Sequence, residues 1–181
     1  MRMSIMEFTY TTRIATTPEQ LWTALTQPEF TRRYWFGVAM HSDWRVGSPV
    51  KWQNMPEEEP QDLGQVVLAA DPYRVLSYSW HLLQPAHAML FGWSDAELAE
   101  YMKEPRTMVT FEIAPDGDGA VRLTVTHDGF EPGSVMYQAI SGQLPGSGGW
   151  PGLMNNLKAL LETGTVLAAT PSAAHAIRGD E

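Results

Sequence analysis

Gly148-Gly149-Trp150-Pro151-Gly152-Leu153-Met154-Asn155-Asn156-Leu157-Lys158-Ala159-Leu160-Leu161-Glu162-Thr163-Gly164 reads as one well-formed helix with a single apolar side. Its apolar residues fall at 150, 153, 154, 157, 160 and 161, the i, i+3, i+4, i+7 stripe of an amphipathic helix. Pro151 suits a first helical turn, where a missing N–H costs nothing, and Gly164 suits a C-terminal stop. A long helix that follows a run of strands predicts a curved sheet wrapped around it, with space for a cavity between the two layers.

Upstream, residues 7–15 alternate as a strand does. Thr16-Thr17-Pro18-Glu19-Gln20 then opens a helix, with a threonine cap, proline in the first turn and Leu21, Trp22 and Leu25 on its apolar side. Pro28-Glu29-Phe30 opens a second short helix through about Tyr34. Short strands are predicted near 38–44, 48–54, 64–70, 73–81, 106–114 and 120–128. Arg45-Val46-Gly47-Ser48 and Pro115-Asp116-Gly117-Asp118-Gly119 carry turn chemistry, so their neighbours are predicted to be hairpins. Glu57-Glu58-Glu59 reads as a solvated loop. Residues 82–105 interrupt the meander, and within them Ser94 to Met102 form a helix start with Glu97 completing a capping box. This insertion could serve as a lid, as a plain excursion or as an oligomer contact. The expected order is strand, two helices, about six strands and a long helix: an α+β domain over 1–164, followed by a small-residue tail at 165–181 expected to fray or to need a partner.

A chain of 181 residues suffices for one sizeable core. A net charge of −9, with no Lys/Arg run longer than Arg32-Arg33, argues against a phosphate backbone or an anionic membrane surface as partner. The absence of cysteine removes disulfides, thiolate nucleophiles and thiolate metal sites and fits a cytoplasmic protein. No apolar run reaches the length of a membrane span, and Glu7 interrupts any secretory apolar region. Seven tryptophans and ten methionines suit an adaptable apolar core or pocket.

With these elements in order, the chain resembles the SRPBCC (START and birch-pollen-allergen-like) superfamily. More closely it resembles the family of homologues of the activator of the heat-shock-protein-90 ATPase (AHSA-type). The resemblance rests on Ala15-Thr16-Thr17-Pro18-Glu19-Gln20-Leu21-Trp22-Thr23-Ala24-Leu25-Thr26, on Arg33-Tyr34-Trp35-Phe36, on Gly64-Gln65-Val66-Val67 and on Arg74-Val75-Leu76-Ser77-Tyr78-Ser79-Trp80. It continues through Leu123-Thr124-Val125-Thr126-His127-Asp128-Gly129-Phe130, Gly149-Trp150-Pro151 and Leu157 to Gly164. No single motif is diagnostic; their order and spacing together are specific. The resemblance implies the helix-grip fold, in which a curved antiparallel sheet wraps a long C-terminal helix and a helical hairpin follows strand one. It implies a stress-related protein of unassigned ligand that binds a small hydrophobic or amphipathic molecule between sheet and helix, as a monomer or homodimer and with no cofactor. An alternative is a chaperone-interacting, cochaperone-like module. The eukaryotic cochaperones that name the family carry a separate N-terminal domain that engages the chaperone, whereas here the fold is expected to begin within the first ten residues. A third reading is a cyclase- or hydrolase-type enzyme.

Strand parity selects the candidate pocket residues. Leu76, Tyr78 and Trp80 share one side of the 73–81 strand; Val109, Phe111 and Ile113 share one side of 106–114; Val121, Leu123, Val125 and His127 share one side of 120–128. These faces should meet the stripe of the last helix. The candidate ligand-binding residues are Tyr78, Trp80, Phe111, His127, Trp150, Met154 and Leu157, with core packing as the competing role for each. His127 at the inward parity of an apolar strand could contact a ligand or act as a general base, with Tyr78 as its partner in the enzyme reading. Histidines at 41, 81, 87, 127 and 175 make no H-x-x-x-H or H-E-x-x-H pair, so no metal site is expected. Gly146-Ser147-Gly148-Gly149 has neither the Lys-Ser/Thr of a P-loop nor a dinucleotide-binding spacing, and reads as a hinge setting the helix's angle.

Overall fold

Alternation in the first strand, β1 (Met6–Ile14), ends at the buried Ile14, and the chain turns there into a helical hairpin. The structure, a computed structural model, describes residues 5–166. Helix α1 (Pro18–Thr26) is capped by the Thr17 side chain, which accepts from the Gln20 amide, and α2 (Pro28–Tyr34) again begins on a proline. Four strands follow: β2 (Ala39–His41), β3 (Pro49–Gln53), β4 (Gln61–Asp71) and β5 (Val75–Ser79). Two short helices, α3 (Pro85–Phe91) and α4 (Asp95–Tyr101), occupy the insertion. The chain then returns through β6 (Met108–Pro115), β7 (Val121–Phe130), α5 (Val135–Ser141) and α6 (Gly149–Thr163).

All seven strands form one antiparallel sheet in the order β1-β7-β6-β5-β4-β3-β2. The first strand therefore pairs with the last, and this pairing closes the meander around α6. The two expected hairpins, β2–β3 and β6–β7, are present. Gly64, at φ 83°, lies where the β3–β4 register shifts, so the bulge falls on the residue that tolerates a left-handed backbone. The inward parity holds along the sheet: Leu76, Tyr78, Val109, Phe111, Val121, Leu123, Val125 and His127 are all buried. Against them α6 sets Trp150, Met154, Leu157 and Leu160, and Gly164 ends it at φ 78°.

The structure departs from the sequence expectation in three places. The strand expected at 38–44 shortens to three residues, because Trp44 sits at φ 58° and breaks the ladder. Helix α3 precedes the expected capped helix, α4, in the insertion, beginning on Pro85 and stopping at Gly92 in the left-handed conformation. Helix α5 was not expected; it is started by Ser134 and by Glu104, whose carboxylate accepts from the Val135 and Met136 amides at 2.6 and 3.3 Å. The Glu57–Glu59 loop is exposed, as expected. The tail expected at 165–181 lies, beyond residue 166, outside the described residues.

Candidate functional site

Four tryptophans from four distant parts of the chain meet at one end of α6. Trp35 is the residue that ends α2, Trp52 lies on β3, Trp80 follows β5, and Trp150 stands in the first turn of α6. Ring centroids are 5.2 Å apart for Trp35–Trp52, 5.5 Å for Trp35–Trp150, 5.3 Å for Trp80–Trp150 and 5.7 Å for Trp52–Trp80. Most of these contacts are edge-to-face or tilted, the geometries that aromatic quadrupoles favour.

Hydrogen bonds fix the rings. Trp52 Nε1 donates to Gln65 Oε1, and the fully buried Gln65 in turn donates to the Ser79 carbonyl at 2.9 Å. The Trp80 amide donates to the Thr107 carbonyl at 2.8 Å, which carries the β5–β6 ladder one residue further. Trp150 Nε1 donates to His127 Nδ1 at 3.0 Å, and His127 Nε2 stands 2.7 Å from Thr107 Oγ1. Indole N–H is a donor only, so His127 must be neutral, with its proton on Nε2 and directed at the threonine. Burial, and then the neighbouring His81, push its pKa down to about 3. Trp80 Nε1 is buried without a hydrogen-bond partner among the described residues.

Beside this cluster lies a cavity of about 360 Å³. Its floor is Trp35, Trp52, Trp80 and Trp150. One part of the wall is α3 with the turn before it, including His81, Gln84, His87, Leu90 and Phe91; another is α5 with Met136, Ala139 and Ile140. Asn54, Gln61 and Leu63 from the β3–β4 connection, and the Gly146–Gly149 turn, complete the rim. Phe36 also lines it and holds φ 50°, an uncommon conformation for a bulky residue. Among the described residues, no Asp, Glu, Lys or Arg lines the cavity. Among the described residues no three His, Asp or Glu side chains stand together as metal ligands.

The two histidines on the wall are also neutral, with pKa values pushed down to about 3 for His81 and about 4 for His87, in each case mainly by burial. Their rings stack at 17° with centroids 5.4 Å apart.

Of the seven residues that strand and helix parity selects, Trp80 and Trp150 line the cavity. Phe111, Met154 and Leu157 lie buried in the core behind it. Tyr78 is buried there too, its hydroxyl donating to Met40 Sδ at 3.7 Å. His127 stands behind Trp80 and Trp150 with both ring nitrogens engaged, so neither it nor Tyr78 has a free group facing the cavity. Trp35, Trp52, His81 and His87 are additions from the structure. The run Tyr34-Trp35-Phe36-Gly37 after a helix was the available signal for Trp35, and Gln84-Pro85 as a helix start was the signal that places His87 on a wall.

Residues 15–162 match the family described as activator of Hsp90 ATPase homolog 1-like protein. A crystal structure of a protein from Mesorhizobium loti is similar at a TM-score of 0.60 and 25% identity, over 86% of this chain and 96% of that one. A solution structure from Cytophaga hutchinsonii is similar at 0.59 and 24% identity, over 89% and 96%. The solution structure of the Aha1 dimer from Colwellia psychrerythraea is similar at 0.61 and 16% identity, over 88% and 98%. The helix-grip fold read from the sequence is the fold these structures share. No curated protein matches the chain.

Proposed function

We propose, from the premise that this chain belongs to the activator of Hsp90 ATPase homolog 1-like family, that it binds a small hydrophobic or amphipathic molecule in the cavity between sheet, α6 and α3. The family sits within the SRPBCC superfamily, whose modules are ligand-binding or chaperone-associated. The observation that carries the reading is the 360 Å³ space with a floor of four tryptophans, two neutral histidines on one wall and no charged side chain among the described residues that line it. An apolar, concave site with few polar anchors is what a small-molecule pocket requires. In this reading α3 is the lid, since it supplies a whole wall, and the 82–105 insertion exists to carry it.

Native mass spectrometry of protein purified from its host, with identification of any released compound, tests the proposal. A retained apolar compound supports it. A saturating ligand at a hundred times its Kd would stabilise the fold by about 2.7 kcal/mol and raise Tm by about 5–10 °C in a chain of this size. A bare mass, together with no shift above 1 °C across a library of lipids and aromatic compounds, would remove the reading.

The family description favours a second reading, a chaperone-associated module. It predicts a faster ATPase rate in a heat-shock-protein-90 chaperone on addition of this chain, and an unchanged rate rejects it. The Colwellia protein is a dimer; light scattering of this chain would distinguish monomer from homodimer.

A further inference from the structure

We propose, building on the binding reading above, that His81 and His87 form a neutral donor–acceptor pair that selects an uncharged, flat aromatic ligand bearing a carboxamide-type edge. The backbone dictates which nitrogen carries each proton. His81 Nδ1 lies 2.9 Å from the Leu82 carbonyl, which can only accept, so Nδ1 holds the proton and Nε2 bears a lone pair. His87 Nδ1 receives the Gln84 amide at 2.8 Å, so it is the acceptor and the proton is on Nε2. Both residues line the cavity, and the two rings stack with centroids 5.4 Å apart. Among the described residues neither Nε2 has a hydrogen-bond partner, and neither is sealed away, since the buried side-chain polar atoms without partners there are Tyr34 Oη and Trp80 Nε1.

One ring thus offers a lone pair and its neighbour offers an N–H. A primary amide or lactam presents its own N–H and carbonyl side by side and satisfies both. A carboxylate would set one oxygen against the His81 lone pair; an ammonium would set a proton against the His87 N–H. Neither charge would find a counter-charge on the cavity lining, because no ionised side chain among the described residues lines it, and an unpaired buried charge is costly. The nearby Arg106 directs its guanidinium to the Leu63 and Trp80 carbonyls at 3.2 and 2.8 Å and is not on the wall. Burial holds both imidazoles neutral through the physiological range, which preserves the pattern. The flat faces of Trp35, Trp52, Trp80 and Trp150 account for the aromatic body.

The test uses three probes of one shape on the unaltered protein: 2-naphthamide, 2-acetylnaphthalene and 2-naphthoate, titrated by calorimetry at pH 7.5. The ketone keeps the carbonyl and replaces the amide nitrogen by a methyl group, which leaves His81 Nε2 unpaired. The amide should bind at least about tenfold tighter than the ketone or the carboxylate, since an unpaired buried acceptor costs on this order. Long-range ¹H–¹⁵N spectra should place the proton on Nδ1 of His81 and on Nε2 of His87, and both signals should move on addition of the amide. His81→Phe should close the gap between amide and ketone. Equal affinity for amide and ketone, or the carboxylate binding tightest, would overturn the pair while leaving an apolar binding site in place. The same tautomer on both histidines would also overturn it. No heat from any of the three probes would reject the binding reading and this inference with it.

Discussion

Lowering the pH should unfold this protein through His127, and the size of the effect can be worked out. The ring is fully buried, held between the Trp150 N–H on one side and Thr107 on the other. A second proton would have to sit on Nδ1, where the Trp150 donor already points, so protonation sets two donors against each other inside an apolar cluster. Its pKa is accordingly down to about 3 in the fold, against about 6.5 in the unfolded chain. The folded pKa is depressed, so the unfolded state binds more protons below pH 6.5. Stability is full above that value and is lost as pH falls toward the folded pKa. The slope approaches about 1.36 kcal/mol per pH unit for one group once pH is well below 6.5, which gives about 2 kcal/mol between pH 7.5 and 5. His81 and His87 act in the same direction over the same window. Asp43 and Glu162, held low by the Ser48 hydroxyl and the Ala15 amide respectively, lose their contribution only as pH falls through the carboxylate range below. The assay is urea unfolding at pH steps from 7.5 to 5 for the natural chain and for His127→Gln. Glutamine retains an acceptor for Trp150 and a donor for Thr107 but does not titrate. The variant should lose about 2 kcal/mol less than the natural chain between pH 7.5 and 5. Parallel curves for the two proteins would show that His127 does not resist protonation and would refute the donor–acceptor chain.

Two glycines should respond differently to alanine. At Gly149, φ 60°, an added Cβ would lie 2.4 Å from the Ile140 carbonyl and 2.5 Å from the Gly142 amide nitrogen, all backbone; Gly149→Ala should cost about 3 kcal/mol or more by chemical denaturation. At Gly92, φ 73°, an added Cβ would meet nothing within 4 Å among the described residues, so Gly92→Ala should cost only about 1 kcal/mol. Glu104→Ala removes the carboxylate that meets Ser134 Oγ and two amides of α5; a loss of about 1–2 kcal/mol and faster hydrogen exchange at Val135 and Met136 are expected. Leu90→Trp fills the cavity from the α3 wall; apolar probes should bind at least about tenfold more weakly with Tm within about 3 °C of the natural chain, a contrast measured by calorimetry and thermal unfolding.

Strand and helix periodicity carried much of the fold. The stripe from Trp150 to Leu161 located α6, and alternation located the inward faces of β5, β6 and β7, because a half-buried element must segregate its apolar residues at its own repeat. Helix α5 escaped detection. It is seven residues long, and its start depends on a carboxylate some thirty positions earlier in the chain, a dependence that no local window contains. Parity also assigned a face without assigning a height along the sheet. Phe111, Met154 and Leu157 point inward and are consumed by the core; Trp80 and Trp150, at the end of the same faces, border the cavity. His81 has the opposite parity to Trp80, and reaches the cavity because β5 ends at Ser79 and the alternation stops there.

The sequence by itself determined an α+β domain with one long helix held by an antiparallel sheet, its inward residues, and its family. Each of these is a statement about neighbours along the chain or about the repeat of one element. Only the tertiary structure decided where the empty space lies and what faces it. Trp35, Trp52, Trp80 and Trp150 are brought together by strand order and helix docking, and the proton positions on His81 and His87 follow from which backbone group each ring meets. A cavity is a volume that packing leaves unfilled, and its polar character depends on hydrogen-bond partners that exist only once the chain has closed around it.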